Sequence, residues 1–126
     1  MEKLTEGIAV HTDIGAAPVY LQANRILLES LINNLIVNAV RHNVKGGDIY
    51  ISVKERQFIV SNTSDEGRLD ERLLFSRFYR PSEKVKGNGL GLAIVKAICE
   101  YHGWSIHYTY KKGIHQFTVF FGLVKE

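Results

Sequence analysis

Gly87-Asn88-Gly89-Leu90-Gly91-Leu92 runs directly into Ala93-Ile94-Val95-Lys96. Glycine loses more backbone entropy on ordering than any other residue, so glycines at three alternate positions suit neither an ordinary helix nor an ordinary strand. They suit a place where bare backbone must come close to something. The apolar run that follows reads as a helix, whose first N–H groups point back toward the glycines. A glycine-rich loop feeding a helix N-terminus is a phosphate or anion site. The competing reading is a flexible hinge before a core helix. The familiar phosphate loops fit badly. G-x-x-x-x-G-K-[ST] is absent, and the dinucleotide fingerprint G-x-G-x-x-G follows a strand. Here G-x-G-x-G follows the charged stretch Arg80-Pro81-Ser82-Glu83-Lys84-Val85-Lys86, which suits a mobile lid.

The 126 residues are enough for one domain with a real core and too few for two. The net charge of +3 is spread along the chain, which fits a small anionic ligand better than nucleic acid. The single cysteine, Cys99, excludes an intrachain disulfide and a multi-cysteine metal site. Within the helical run Leu92–Tyr101 it reads as a small core residue. No signal peptide and no apolar run of bilayer-spanning length is found. A reducing, cytoplasmic setting is therefore expected, with no membrane insertion by this segment.

Ile8–Asp13 and Pro18–Gln22 read as short strands or an opening hairpin broken at Gly15. Asn24 is a suitable N-cap for a helix from Arg25 to about His42. Its apolar stripe is Leu28, Leu31, Ile32, Leu35, Ile36, Ala39 and Val40. Asp48–Lys54 alternates as a strand and Phe58–Ser61 returns as another. Leu69–Phe78 reads as a short helix. The helix after the glycines runs to about His102 and stops at Gly103. Trp104–Tyr110 and Ile114–Phe121 form a last hairpin. The pattern predicts an α+β two-layer sandwich, a mixed and mainly antiparallel sheet covered by helices on one face.

Asn34 and Asn38 lie one turn apart on the first helix, and Arg41 and His42 continue their face. Asparagine is a mediocre helix former, so two beside a core stripe ask for a reason. A solvated face is one. An Mg²⁺–phosphate site is the other, because Mg²⁺ takes a few protein oxygens when phosphates and waters supply the rest. A neutral amide oxygen fills such a position without repelling a triphosphate. Arg41 can pair with phosphate oxygens, and His42 can offer a ring or a donor to a nucleotide.

Together these segments resemble the catalytic, ATP-binding domain of bacterial sensor histidine kinases, within the superfamily of type II topoisomerases, mismatch-repair ATPases and heat-shock chaperones. The resemblance runs from about Ile8 to Phe121. Asn34-Leu35-Ile36-Val37-Asn38-Ala39-Val40-Arg41-His42-Asn43 looks like the family's N box. Leu74-Phe75-Ser76-Arg77-Phe78-Tyr79-Arg80 is similar to its F box, and Gly87–Leu92 to its second glycine box. The resemblance implies a Bergerat fold over residues 1–126 with an ATP lid at about 65–88. It implies Asn38 as principal Mg²⁺ ligand with Asn34 assisting, Arg41 on phosphate and His42 near the adenosine. Phe75 and Phe78 become lid anchors, or plain core aromatics. Arg80, Lys84 and Lys86 become lid cations for the terminal phosphate. Gly87, Gly89 and Gly91, with Leu90 and Leu92, bring backbone N–H groups to the phosphates.

The first glycine box departs from the family. A strand ending in D-x-G-x-G is expected, its Asp accepting the adenine amino group. Here the strand ends Asn62-Thr63-Ser64-Asp65-Glu66-Gly67, so Asn62 falls nearest that Asp, with Asp65-x-Gly67 as a rival register. Superfamily members that hydrolyse ATP carry a Glu one turn before the Mg²⁺ Asn, a general base for water. Asn34 holds that position, and an amide takes no proton at neutral pH. The resemblance therefore implies a phosphoryl donor that uses ATP and Mg²⁺, with a histidine acceptor on a dimerisation domain and a response regulator downstream. None of His11, His42, His102, His107 and His115 sits in an H-[ED]-x-x-[PT]-like setting. His11, His107 and His115 read as strand-surface residues and His102 as a helix end. The chain is thus expected to be the catalytic half of a longer kinase, unable to phosphorylate itself. Two alternatives stand beside this: a nucleotide-free interaction module of the same fold, and an anti-sigma-type serine kinase.

Overall fold

The computed structural model describes residues 7–15, 19–54, 56–79 and 90–122. Asn24 starts the first helix, its side-chain oxygen accepting from Leu27 N at 3.0 Å. Helix α1 (Arg25–Arg41) follows and ends at His42, whose backbone N–H reaches Asn38 O. Its stripe buries Leu31, Leu35 and Ala39 against a five-stranded sheet. The strands are β1 (Ala9–Ile14), β2 (Asp48–Lys54), β3 (Gln57–Thr63), β4 (Ser105–Lys111) and β5 (Ile114–Phe120), in the order β1-β2-β3-β5-β4. β1 runs parallel to β2 and every other pairing is antiparallel. Helix α2 (Glu71–Leu74) is a single turn, and α3 (Gly91–His102) packs beside α1.

Alternation along the strands sends Ile49, Phe58, Val60, Tyr108, Phe117 and Val119 inward, where they meet Leu31 and Leu35 of α1 and Val95, Ile98 and Cys99 of α3. Burying each large apolar side chain contributes roughly 1.5–3 kcal/mol. The β4–β5 turn is Lys112-Gly113, both with positive φ (50° and 81°), the backbone hand that matches the twist of two antiparallel strands. The result is the two-layer α+β arrangement expected from the sequence. No helix among the described residues is long and apolar enough to cross a membrane.

Two expected elements differ. Among the described residues Val19–Asn24 carries no regular structure, and β1 does not fold back on a second strand. It pairs with β2 instead, from Ala9↔Asp48 to Ile14↔Val53, and α1 supplies the crossover that a parallel pair requires. The short-range signal of Gly15 suggested a hairpin, but strand partners are chosen by the whole sheet. The helix expected over Leu69–Phe78 shrinks to Glu71–Leu74. Leu69 and Leu74 are buried and Phe75 packs edge-on against Phe117 at 6.2 Å. Phe78 is exposed with φ 68°, a left-handed conformation that no helix interior permits.

The helix layer is tied at one end. Asn24 N donates to His102 Nε2 at 3.1 Å, while His102 Nδ1 donates to Ile98 O at 2.8 Å. Those two bonds require the neutral tautomer with its proton on Nδ1. The ring stacks on Trp104 at 4.2 Å, and Gly103 (φ 77°) turns the chain out of the helix between them.

Candidate functional site

At the other end of the helix pair, Asn34 Nδ2 donates to Ser30 O at 2.8 Å and Ser30 Oγ at 3.2 Å. Its oxygen consequently faces α3, so closely that a Cβ on Gly91 would lie 3.1 Å from it. Gly91 is the first residue of α3, and Leu90, the capping residue, makes no side-chain cap hydrogen bond. Helix N–H groups and an amide oxygen thus share one small space. Asn38, one turn along α1, is half-buried, and its amide makes no hydrogen bond among the described residues. Arg41 is exposed in the last turn. Leu90 and Leu92 flank Gly91, both half-buried. Arg80, Lys84, Lys86, Gly87 and Gly89 lie outside the described residues, as does the part of the expected lid (about 65–88) from residue 80 onward.

Asn62 is the penultimate residue of β3 and is 1% exposed. Its Nδ2 donates to Thr63 O at 2.9 Å and His42 O at 3.3 Å. Carbonyls only accept, so the nitrogen must be on that side. Oδ1 is left buried with no partner. An unmet buried acceptor costs about 1–3 kcal/mol, which marks a place where a donor is wanted. Asp65, three residues on, is exposed at a bend.

A polar cluster that the sequence does not announce lies beside Asn62. His42, 8% exposed, donates from Nδ1 to Glu66 Oε1 and Oε2 at 3.0 and 3.1 Å. His115 Nε2 donates to Glu66 Oε1 at 3.1 Å, and Ser64 Oγ donates to the same oxygen at 3.2 Å. Tyr108 accepts from Leu69 N at 3.0 Å and donates its hydroxyl proton to His115 Nδ1 at 2.7 Å. The chain of bonds fixes one proton arrangement, with neutral His115 protonated on Nε2. Burial alone would raise the Glu66 carboxyl, but the hydrogen bonds from His115 and His42, the charge of His42 when protonated, and Ser64 outweigh it and hold Glu66 at about 2. Burial pushes the Tyr108 hydroxyl up.

His115, expected on a strand surface, is 1% exposed on the inner face. The signal was there: it shares parity with Phe117 and Val119, both buried. Glu66 offered none, because its partners lie 24 and 49 positions away. His107 stays exposed against Phe120, and His11 stacks on Tyr50 at the sheet edge. Among the described residues no group of three or more His, Cys, Asp or Glu is arranged to hold a metal.

Residues 23–125 match the family described as histidine kinase-, DNA gyrase B-, and HSP90-like ATPase. The chain is 35% identical over 95 residues to the heme sensor protein HssS of Staphylococcus epidermidis, covering 72% of this chain and 21% of that protein. It is 38% identical over 91 residues to HssS of Staphylococcus aureus, covering 68% and 20%. It therefore spans about a fifth of the length of these relatives. The fold superposes on the mycobacterial sensor histidine kinase MprB with a TM-score of 0.76 at 20% identity, covering 95% of this chain and 85% of that one. It superposes on the Acinetobacter baumannii histidine kinase AdeS with a TM-score of 0.72 at 26% identity, covering 98% and 59%. With the family model matching residues 23–125, the chain belongs to the histidine kinase-, DNA gyrase B-, and HSP90-like ATPases.

Proposed function

We propose that the chain binds Mg·ATP between α1, the end of β3 and the start of α3, and donates the γ-phosphoryl group to a histidine on a separate dimerisation and phosphoacceptor domain, from which a response regulator is phosphorylated. The observation that carries the reading is Asn62 Oδ1, a buried acceptor without a donor, suited to the amino group of adenine. Asn62 is preferred to Asp65 for this role because Asp65 is exposed. The phosphate end rests on Asn34 Oδ1 facing Gly91.

The amide oxygens of Asn34 and Asn38 are hard, neutral donors and fit an Mg²⁺ ion whose other ligands are phosphates and water. Asn38, with Asn34 assisting, would hold that ion, which when bound neutralises charge on the phosphate oxygens. Arg41 contacts phosphate, and the first N–H groups of α3 at Gly91 and Leu92 face it. The roles proposed for Arg80, Lys84 and Lys86 are those of cations for the terminal phosphate, and for Gly87 and Gly89, with Leu90, those of backbone donors to the phosphates. Phe75 anchors the lid through Phe117. His42 lies near the adenosine with its Nδ1 already engaged by Glu66.

Positioning, with no general base, is the whole contribution. The acceptor imidazole attacks with its own lone pair, and the bridging oxygen leaves with ADP. Asn34 cannot take a proton from water, and Glu29 is held by Arg25 at 3.2 Å on the exposed start of α1. We read the domain as the cytoplasmic part of a membrane-anchored parent.

The test is calorimetric titration with Mg·ADP and a non-hydrolysable ATP analogue, followed by phosphotransfer to a histidine helix bundle and to a serine acceptor. Binding on the order of micromolar, lost in Asn38→Ala, and transfer to histidine alone are expected. An intact chain that binds neither nucleotide is instead an interaction module, and transfer to serine assigns it to the anti-sigma type.

A further inference from the structure

An asparagine in the adenine position raises a question that an aspartate does not. Its amide can present either an oxygen or a nitrogen to the base, and 6-amino and 6-oxo purines require opposite choices. In this chain the choice is locked. Asn62 Nδ2 points at His42 O and Thr63 O. A flipped amide would set its oxygen against both carbonyls. Thr63 O is adjacent in the chain, but His42 O belongs to the end of α1, and its place depends on what holds His42.

What holds His42 is Glu66. Both carboxylate oxygens accept the hydrogen bond from His42 Nδ1, and the same carboxylate is fixed by His115 and Ser64. His115 is the cross-strand partner of Asn62, so the cluster grips Asn62 from the neighbouring strand as well as from the helix end. Tyr108, at the far end, sets the His115 tautomer that donates to Glu66. Without that hydroxyl, His115 Nδ1 has no donor and its proton can sit on either nitrogen. Every link is a directed bond, and the last one fixes which atom of Asn62 is free.

We infer that the Tyr108–His115–Glu66–His42 chain is a specificity-determining positioning network: it holds His42 O against Asn62 Nδ2, keeps Oδ1 free, and so selects 6-amino over 6-oxo purine nucleotides. The inference rests on the proposed nucleotide site and adds to it the residues that set base choice. None of Tyr108, His115 and Glu66 touches the base; they act through Asn62.

The experiment is calorimetric titration of the chain and its Glu66→Ala and Tyr108→Phe variants with Mg·ADP and Mg·IDP, which differ at the 6-position. Circular dichroism establishes that each variant folds. The intact chain should prefer ADP by about tenfold or more, the worth of one hydrogen bond and a repulsion avoided. Glu66→Ala should bring the ratio to within about twofold, with IDP binding held or improved as the amide becomes free to turn. Tyr108→Phe keeps the packed ring, so it tests the same point if Glu66→Ala does not fold, and should lower the ratio part way. Folded variants with an unchanged ratio, or with ADP and IDP weakened in parallel, overturn the inference while leaving the nucleotide site standing. An intact chain that binds neither nucleotide removes both.

Discussion

His115 Nε2 donates to Glu66 Oε1 at 3.1 Å, joining the last strand to the loop that leaves β3. The two residues are 49 positions apart, and the bond closes a cluster that includes the end of α1. A carboxylate held by two imidazoles has consequences for stability as well as for the site.

The Glu66 carboxyl sits at about 2 in the folded protein against an ordinary value of 4.5. A lowered carboxylate stabilises the fold above its unfolded value, and the contribution fades as pH falls through the folded one. Urea unfolding should therefore show a loss through Glu66, between about pH 5 and about pH 2, on the order of 2 kcal/mol after allowance for its partial exposure. Glu66→Gln should be less stable than the native chain near neutrality and lose less on acidification. Parallel acid profiles for the two proteins would show that Glu66 does not carry this term.

Gly91→Ala places a methyl group 3.1 Å from Asn34 Oδ1. Alanine is the better helix former by about 1 kcal/mol, which offsets the cost of moving one half-buried amide. Unfolding free energy should stay within about 1 kcal/mol of the native value, while affinity for Mg·ADP drops about tenfold. Equal affinity in a folded variant would separate Asn34 from the phosphate end.

Incubation with Mg·ATP alone should leave no phosphohistidine on this chain. His42 and His115 are buried and hydrogen-bonded to Glu66, and both ring nitrogens of His102 are engaged. Acid-labile, base-stable label on the isolated chain would count against the separate acceptor domain.

Cys99 is 1% exposed, and burial pushes its thiol up to about 11. The thiolate is the reactive form, so a thiol reagent at neutral pH should label Cys99 only when the chain unfolds. Labelling in urea should follow the same transition as circular dichroism. Rapid labelling without denaturant would mean that α3 opens locally.

Much of this arrangement was legible in the chain because its signals are local. Asn24 caps α1, the Asn34–Asn38 face follows from helical period, and Lys112-Gly113 turns a hairpin between two alternating strands. The readings that differ depend on distant partners. β1 joins β2 across a whole helix, and nothing within Ile8–Gln22 encodes that choice. His115 was legible only by asking which face its strand neighbours occupy. Glu66 was not legible, since a lone glutamate in a polar loop differs from a solvated one only through histidines brought from elsewhere. Phe75 and Phe78 look alike in sequence, yet one packs on Phe117 and the other stands exposed in a left-handed conformation.

The two helices of the covering layer run antiparallel, with Asn24 on His102 at one end and Asn34 facing Gly91 at the other. They therefore work as a ruler. The end at which phosphate is proposed to bind is measured off from a histidine about 15 Å away, by helix rise alone. Sliding α3 by one residue would carry Gly91 about 1.5 Å along α1, and displacements of that size are enough to spoil a positioned reaction. His102 and its Trp104 stack thus belong to the calibration of a proposed site that they never touch.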